Sequence, residues 1–166
     1  MSVFDGIEKL LTNRDRVLTV ARTASIAAAA LRMRDKGVGA LVVLDEIGCL
    51  GGIITERDIV RKVVSLALNP TQVHVEDVMT ADVVSCGPDT SMVQARKTMA
   101  EYNIRHLPVV QDGRPIGMVS IRDVLSYELN ATRATIHQQT QLLQELEHSH
   151  PGITRVQRSA SGRVVI

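Results

Sequence analysis

The sequence predicts an α/β fold in which one unit is used twice and is followed by a long helix. Three observations carry that reading. The 166 residues are 45% hydrophobic and 22% charged with no low-complexity run, the composition of a globular chain long enough to bury a real core. Apolar positions switch repeatedly between helical spacing and short continuous runs, as helices alternating with covered strands require. Finally, the whole pattern recurs further along the chain.

In the first copy, Arg16 to Val20 reads as a short strand. A helix follows from Ser25-Ile26, with Ile26, Ala29, Ala30 and Met33 on one face and Gly37 as its C-terminal stop. Val38 to Leu44 is nearly all apolar, the mark of a strand covered on both faces. Asp45-Glu46-Ile47-Gly48 makes a turn, Leu50 to Ile54 a further strand, and Arg57 to about Leu66 a second helix. A shift of 66 lays Val17 on Val83, Ser25 on Ser91, Ala29 on Ala95, Met33 on Met99, Leu41 on Leu107 and Val43 on Val109. After a turn one residue shorter, a shift of 65 lays Gly52 on Gly117, Arg57 on Arg122 and Asp58 on Asp123.

Division of the chain follows from this register. Residues 1–12 are an N-terminal helical segment with Val3, Ile7, Leu10 and Leu11 at helical spacing, 13–70 the first repeat, 71–77 a linker and 78–130 the second repeat. Residues 131–150 extend the last helix, in which Leu125, Leu129, Thr132, Ile136, Gln139, Leu143 and Leu146 form a heptad seam. Residues 151–166, with Arg155, Arg158 and Arg163, are a tail with room for a short strand.

Composition also narrows function. A net charge of +1 argues against a general nucleic-acid or anionic-membrane surface, and one Phe with two Tyr offers no stacking platform. No stretch resembles a signal peptide or a transmembrane span, so cytoplasm is the expected compartment. Cys49 and Cys86 form neither a disulfide framework nor a metal spacing, and His148 and His150 lack further ligands, so no metal is expected. A redox pair of the two cysteines is the weakest reading. Catalysis needs a base, a nucleophile or a metal in mutual reach, and neither a Walker A nor a GxGxxG run occurs. A binding module is expected rather than an enzyme.

The chemistry concentrates in Gly52-Ile53-Ile54-Thr55-Glu56-Arg57-Asp58 and its echo Gly117-Met118-Val119-Ser120-Ile121-Arg122-Asp123. Each is a strand entering a helix, with a hydroxyl at the N-cap and an acid in the first turn. Unpaired N–H groups and positive dipole gather there, which suits a phosphate.

These two segments, together with Asp77-Val78-Met79-Thr80, Val83-Val84-Ser85 and Asn103-Ile104-Arg105-His106-Leu107-Pro108-Val109-Val110, resemble a cystathionine-β-synthase (CBS) domain pair, or Bateman module, over about Asn13 to Asn130. The resemblance implies two repeats packed through their sheets about a pseudo-twofold axis, with two clefts for adenosine-containing ligands such as AMP, ADP, ATP, NAD(H), S-adenosylmethionine or cyclic dinucleotides. It places Asp58 on the ribose of the first cleft, Thr55 and Arg57 on phosphate, Val83, Val84 and Ser85 at the adenine, and Arg105 or His106 on phosphate from across. The second cleft takes Asp123 for ribose, Ser120 and Arg122 for phosphate, and Leu18 and Thr19 at the adenine. Because Gly39-Ala40 stands where the first cleft receives Arg105-His106, the first is expected to hold phosphate more strongly. The resemblance also implies a homodimer, and the whole reads as a regulatory module signalling to an unidentified partner protein. The alternative is an adaptor with vestigial clefts that works through the helix seam.

Overall fold

The structure, a computed structural model, describes residues 6–11, 17–149, 157–158 and 164–165. The spacing of Val3 with its neighbours, Arg155, Arg163 and the side chains of Arg158, His148 and His150 lie outside the described residues. The chain divides into two compact units, Met1–Glu128 and Leu129–Ile166.

The first unit holds both repeats. Repeat 1 comprises β1 (Thr19–Val20), α1 (Ile26–Lys36), β2 (Ala40–Leu44), β3 (Leu50–Thr55) and α2 (Glu56–Ile59), which runs on as a π-helical turn, Val60–Val64. A short α3 (Val75–Val78) leads to repeat 2, with α4 (Met92–Glu101), β4 (His106–Gln111), β5 (Arg114–Ser120) and the start of α5 (Ile121–Ser149). In repeat 1, β1 lies parallel to β2 and β2 antiparallel to β3. In repeat 2, β4 and β5 form an antiparallel pair, and the expected first strand shrinks to a parallel bridge between Cys86 and Val109.

Matched local chemistry builds matched elements. Ser25 and Ser91 cap α1 and α4, accepting from the Ala28 and Gln94 N–H groups, each at 3.2 Å. At the other end Gly37 (φ 65°) and Asn103 (φ 50°) take the left-handed conformation. The next residues, Val38 and Ile104, donate back to Met33 and Met99, which closes the same C-terminal motif in both. Both sheets carry an irregularity at one equivalent place, between Val43 and Leu44 and between Val109 and Val110.

Each repeat has its own core. Ile26, Ala29, Met33, Leu41, Val43 and Ile54 form one, and Met92, Ala95, Met99, Leu107, Val109 and Val119 the other. The segments assigned as an N-terminal helix and a linker belong to these cores by exchange. Ile7, on a 3-10 turn (Ile7–Leu10), is buried in the core of repeat 2, and Val75 of α3 in that of repeat 1. The backbone ties correspond: Ile7 donates to Thr90 O and Glu8 to Pro88 O, while Val75 donates to Ala24 O and Glu76 to Arg22 O. Each repeat is thus sealed by the segment that precedes the other.

The exchange explains the glycine that opens each motif. A Cβ on Gly117 would stand 2.3 Å from Leu11 Cδ2, and one on Gly52 2.7 Å from Met79 Sδ. A Cβ at either place would push the exchanged Leu11 or Met79 side chain aside.

In the second unit, the continuation of α5 leaves Leu129, Ile136, Leu143 and Leu146 each more than half exposed. In the tail, β6 (Gln157–Arg158) pairs antiparallel with β7 (Val164–Val165).

Candidate functional site

Both helix mouths close the same ring. The Thr55 N–H and hydroxyl donate to Asp58 Oδ2 (3.1 and 2.6 Å), and the Asp58 N–H returns to the hydroxyl at 3.2 Å. Ser120 and Asp123 repeat this, with Ser120 N–H to Asp123 Oδ2 at 2.9 Å and Asp123 N–H to Ser120 Oγ at 3.3 Å. One carboxylate oxygen of each aspartate therefore serves its own helix as a capping box. The other oxygen decides what the mouth can do.

At Asp58 that oxygen is taken. Lys62 Nζ lies 3.1 Å from Oδ1, the Thr80 hydroxyl stands at 3.5 Å, and the carboxylate side chain is only 14% exposed. Lys62 in turn donates to Val78 O at 2.6 Å, which ties this mouth to α3. At Asp123 no described residue hydrogen-bonds Oδ1, and the aspartate faces open space. The residue four places on, equivalent to Lys62, is Tyr127, which is buried in the core of repeat 2.

Asp123 opens onto a cleft of about 1040 Å³. Its floor is the start of α5, with Ser120, Ile121 and Arg122, and Val17, Leu18 and Met118 supply apolar wall. Arg34 and Lys36 from the last turn of α1 line it, as do Gly39, Ala40 and Glu56. So do Arg105 and His106. With Arg34 paired to Asp35 at 2.9 Å, Lys36, Arg105 and Arg122 remain against the carboxylates of Glu56 and Asp123 around one helix N-terminus, an arrangement that attracts anions.

The placement of Arg105 and His106 corrects the expectation that they complete the Asp58 mouth. His106 opens β4 and pairs in register with Ser120, the last residue of β5, so it stands beside its own repeat's helix mouth. Ala40 stands beside Thr55 for the same reason. The side chains expected to hold phosphate in the first cleft line the Asp123 cleft instead. The Arg57 guanidinium donates to the Asn103 carbonyl at 2.7 Å, joining the two repeats. Thr19 pairs with Val42 and lines a separate depression of about 480 Å³ on α1. Thr55, Asp58 and Val83, Val84 and Ser85 do not line the large cleft, and Val84 packs on the core of repeat 2. Leu18, Ser120, Arg122 and Asp123 do come together there.

Sequence reasoning missed Glu56, Arg34, Lys36 and Met118 as cleft residues, and Lys62 as the plug. One signal was available, since the register that aligns Asp58 with Asp123 sets Lys62 against Tyr127 and Glu56 against Ile121.

Electrostatics in the cleft bear on His106. Burial holds its pKa below the usual 6.5, against the pull of Glu56 and Asp123 and with the help of Arg105 and Arg122. At neutral pH it is an uncharged donor and acceptor. Cys86 is pushed up to about 11 by burial, and both cysteines are free thiols, so Cys86 lacks the thiolate that redox chemistry uses. Among the described residues no group of three or more His, Cys, Asp or Glu is placed to hold a metal, and no helix is long and apolar enough to cross a membrane.

A doubled α/β repeat with a polar cleft over a capped helix N-terminus defines a small-molecule-binding module. The chain belongs to the CBS-domain family: the model of the CBS domain matches residues 7–65 and 75–130. It is 38% identical over 133 residues to an uncharacterized protein of Methanopyrus kandleri, covering 80% of this chain and 67% of that one. It is 39% identical over 118 residues to the mitochondrial CBS domain-containing protein CBSX3 of Arabidopsis thaliana, covering 69% of this chain but 54% of the relative. A solved CBS-domain structure from Burkholderia ambifaria superposes with a TM-score of 0.70 at 35% identity, over 75% of this chain and 91% of that one. Proteins built on CBS pairs are generally regulatory, ligand-sensing modules, and this chain shares their tandem fold.

Proposed function

We propose that this protein is a non-enzymatic sensor that binds one adenosine nucleotide per chain in the Asp123 cleft and passes the change to a partner protein. The observation that supports this most is the Asp123 Oδ1, which no described residue hydrogen-bonds, set over a capped helix N-terminus among Arg105, His106 and Arg122. A carboxylate with an unused oxygen accepts from ribose hydroxyls, and the N-terminus with its arginines takes the phosphate. Leu18 and Met118 offer the base an apolar wall. No covalent cofactor enters this reading. Ligand contacts drawn from both repeats shift their relative orientation through differential affinity for two states.

A thermal-shift screen with AMP, ATP, NADH, S-adenosylmethionine and cyclic di-AMP tests it, since a ligand at a hundred times its Kd stabilises the native state by about 2.7 kcal/mol. At least one adenosine compound raises Tm with one-site stoichiometry. No shift with any of them overturns the sensor.

A second reading rests on α5. Leu125, Leu129, Ile136, Leu143 and Leu146 are 50–63% exposed along one heptad seam. In this reading the protein is a homodimeric adaptor that works through that helix, and light scattering at micromolar concentration finds a dimer. A monomer removes it.

A further inference from the structure

The Asp123 cleft carries one charge that anion binding alone does not require. Glu56, the first residue of α2, lines it from repeat 1. Its Oε2 lies 3.1 Å, and the His106 Cε1 3.3 Å, from the point that a Cβ on Gly39 would occupy. Carboxylate and imidazole thus converge over a glycine, in space that any side chain at that position would fill. Ile121 holds the equivalent place in repeat 2, so this acid is contributed to the cleft from one side only. Glu56 has no side-chain hydrogen bond or ion pair among the described residues, unlike Asp123 with its cap and Asp58 with Lys62.

Consider a ligand bound as proposed above, on which this inference rests. A phosphate at the start of α5 sits among Ser120, Arg105, His106 and Arg122. Further phosphates that extend past His106 approach the Glu56 carboxylate, and like charges repel. We propose that Glu56 determines specificity by charge: it admits a nucleoside monophosphate and disfavours di- and triphosphates.

Calorimetric titration of the full chain with AMP and with ATP, without divalent cation, tests this in the wild type, Glu56→Gln and Glu56→Ala. The wild type binds AMP more tightly than ATP. Either substitution strengthens ATP by roughly tenfold and AMP by less than about threefold. The gain shrinks in high salt, because the carboxylate is exposed to solvent, whereas a purely steric effect would not. A wild-type preference for ATP, or an ATP-to-AMP ratio unchanged in both variants, overturns the role of Glu56 and leaves the nucleotide cleft standing. No binding of either nucleotide by any of the three proteins overturns the cleft reading, and this one with it.

Discussion

Thr55 to Asp58 and Ser120 to Asp123 share the hydroxyl, the arginine and the aspartate and close the same hydrogen-bonded ring, yet the second carboxylate oxygen is paired in the first and has no described partner in the other. The difference lies four residues downstream. Lys62 folds back on Asp58 and on the Val78 carbonyl, while its counterpart Tyr127 is buried in the core of repeat 2 and gives Asp123 no equivalent partner. A capping box therefore commits one carboxylate oxygen to the helix, and the next turn determines whether the other oxygen is paired as well. Two copies of a capping pair in one chain can thus stand in different surroundings without any change in the pair itself.

The comparison can be broken or sharpened by substitution. The largest effect belongs to the exchanged segments that seal the two cores. Ile7→Ala removes a fully buried side chain from repeat 2 and costs about 3 kcal/mol in denaturant unfolding, with Val75→Ala costing somewhat less in repeat 1. If Ile7→Ala is neutral, the segment does not seal repeat 2.

Next comes the division of labour between the aspartates. Asp123→Ala weakens nucleotide binding by roughly a hundredfold in calorimetry, as the loss of a charge-assisted pair of hydrogen bonds predicts. Asp58→Ala leaves binding within about threefold. The reverse pattern would make the shut mouth the binding site. In stability the order inverts, because Asp58→Ala unpairs the Thr55 N–H and strands Lys62, costing about 1–2 kcal/mol.

The smallest effect is a dependence on pH. The folded-state pKa of His106 lies below its unfolded value of about 6.5, so the unfolded chain takes up a proton first as pH falls. The contribution of His106 to stability is full above about pH 6.5, declines as pH drops below it and levels off once the folded state is protonated too. His106→Gln flattens the stability profile in that window. An unaltered profile would mean that burial does not govern this imidazole.

Much of the architecture was legible from residues. Ser25, Gly37 and the apolar spacing between them give α1 its bounds, and the shift of 66 carries these to Ser91 and Asn103 because capping is local chemistry. The exchange of Ile7 and Val75 was not legible by that register. Those segments correspond at a shift of 68, and only Ile7-Glu8 against Val75-Glu76 hints at it. Arg105 and His106 were found as candidates but given to the wrong mouth, since composition cannot say which strand end lies beside which helix start. The antiparallel pairing of His106 with Ser120 does.

By itself, then, the sequence determined the doubled α/β fold, the long last helix and the residue types of a binding site, since caps, turns and apolar periods act over a few neighbours. Only the tertiary structure decided which copy of the Gly-to-Asp motif stays open. That outcome depends on where Lys62, Tyr127, Glu56 and Arg105 end up in space, and residues brought together from separate elements leave no spacing to read.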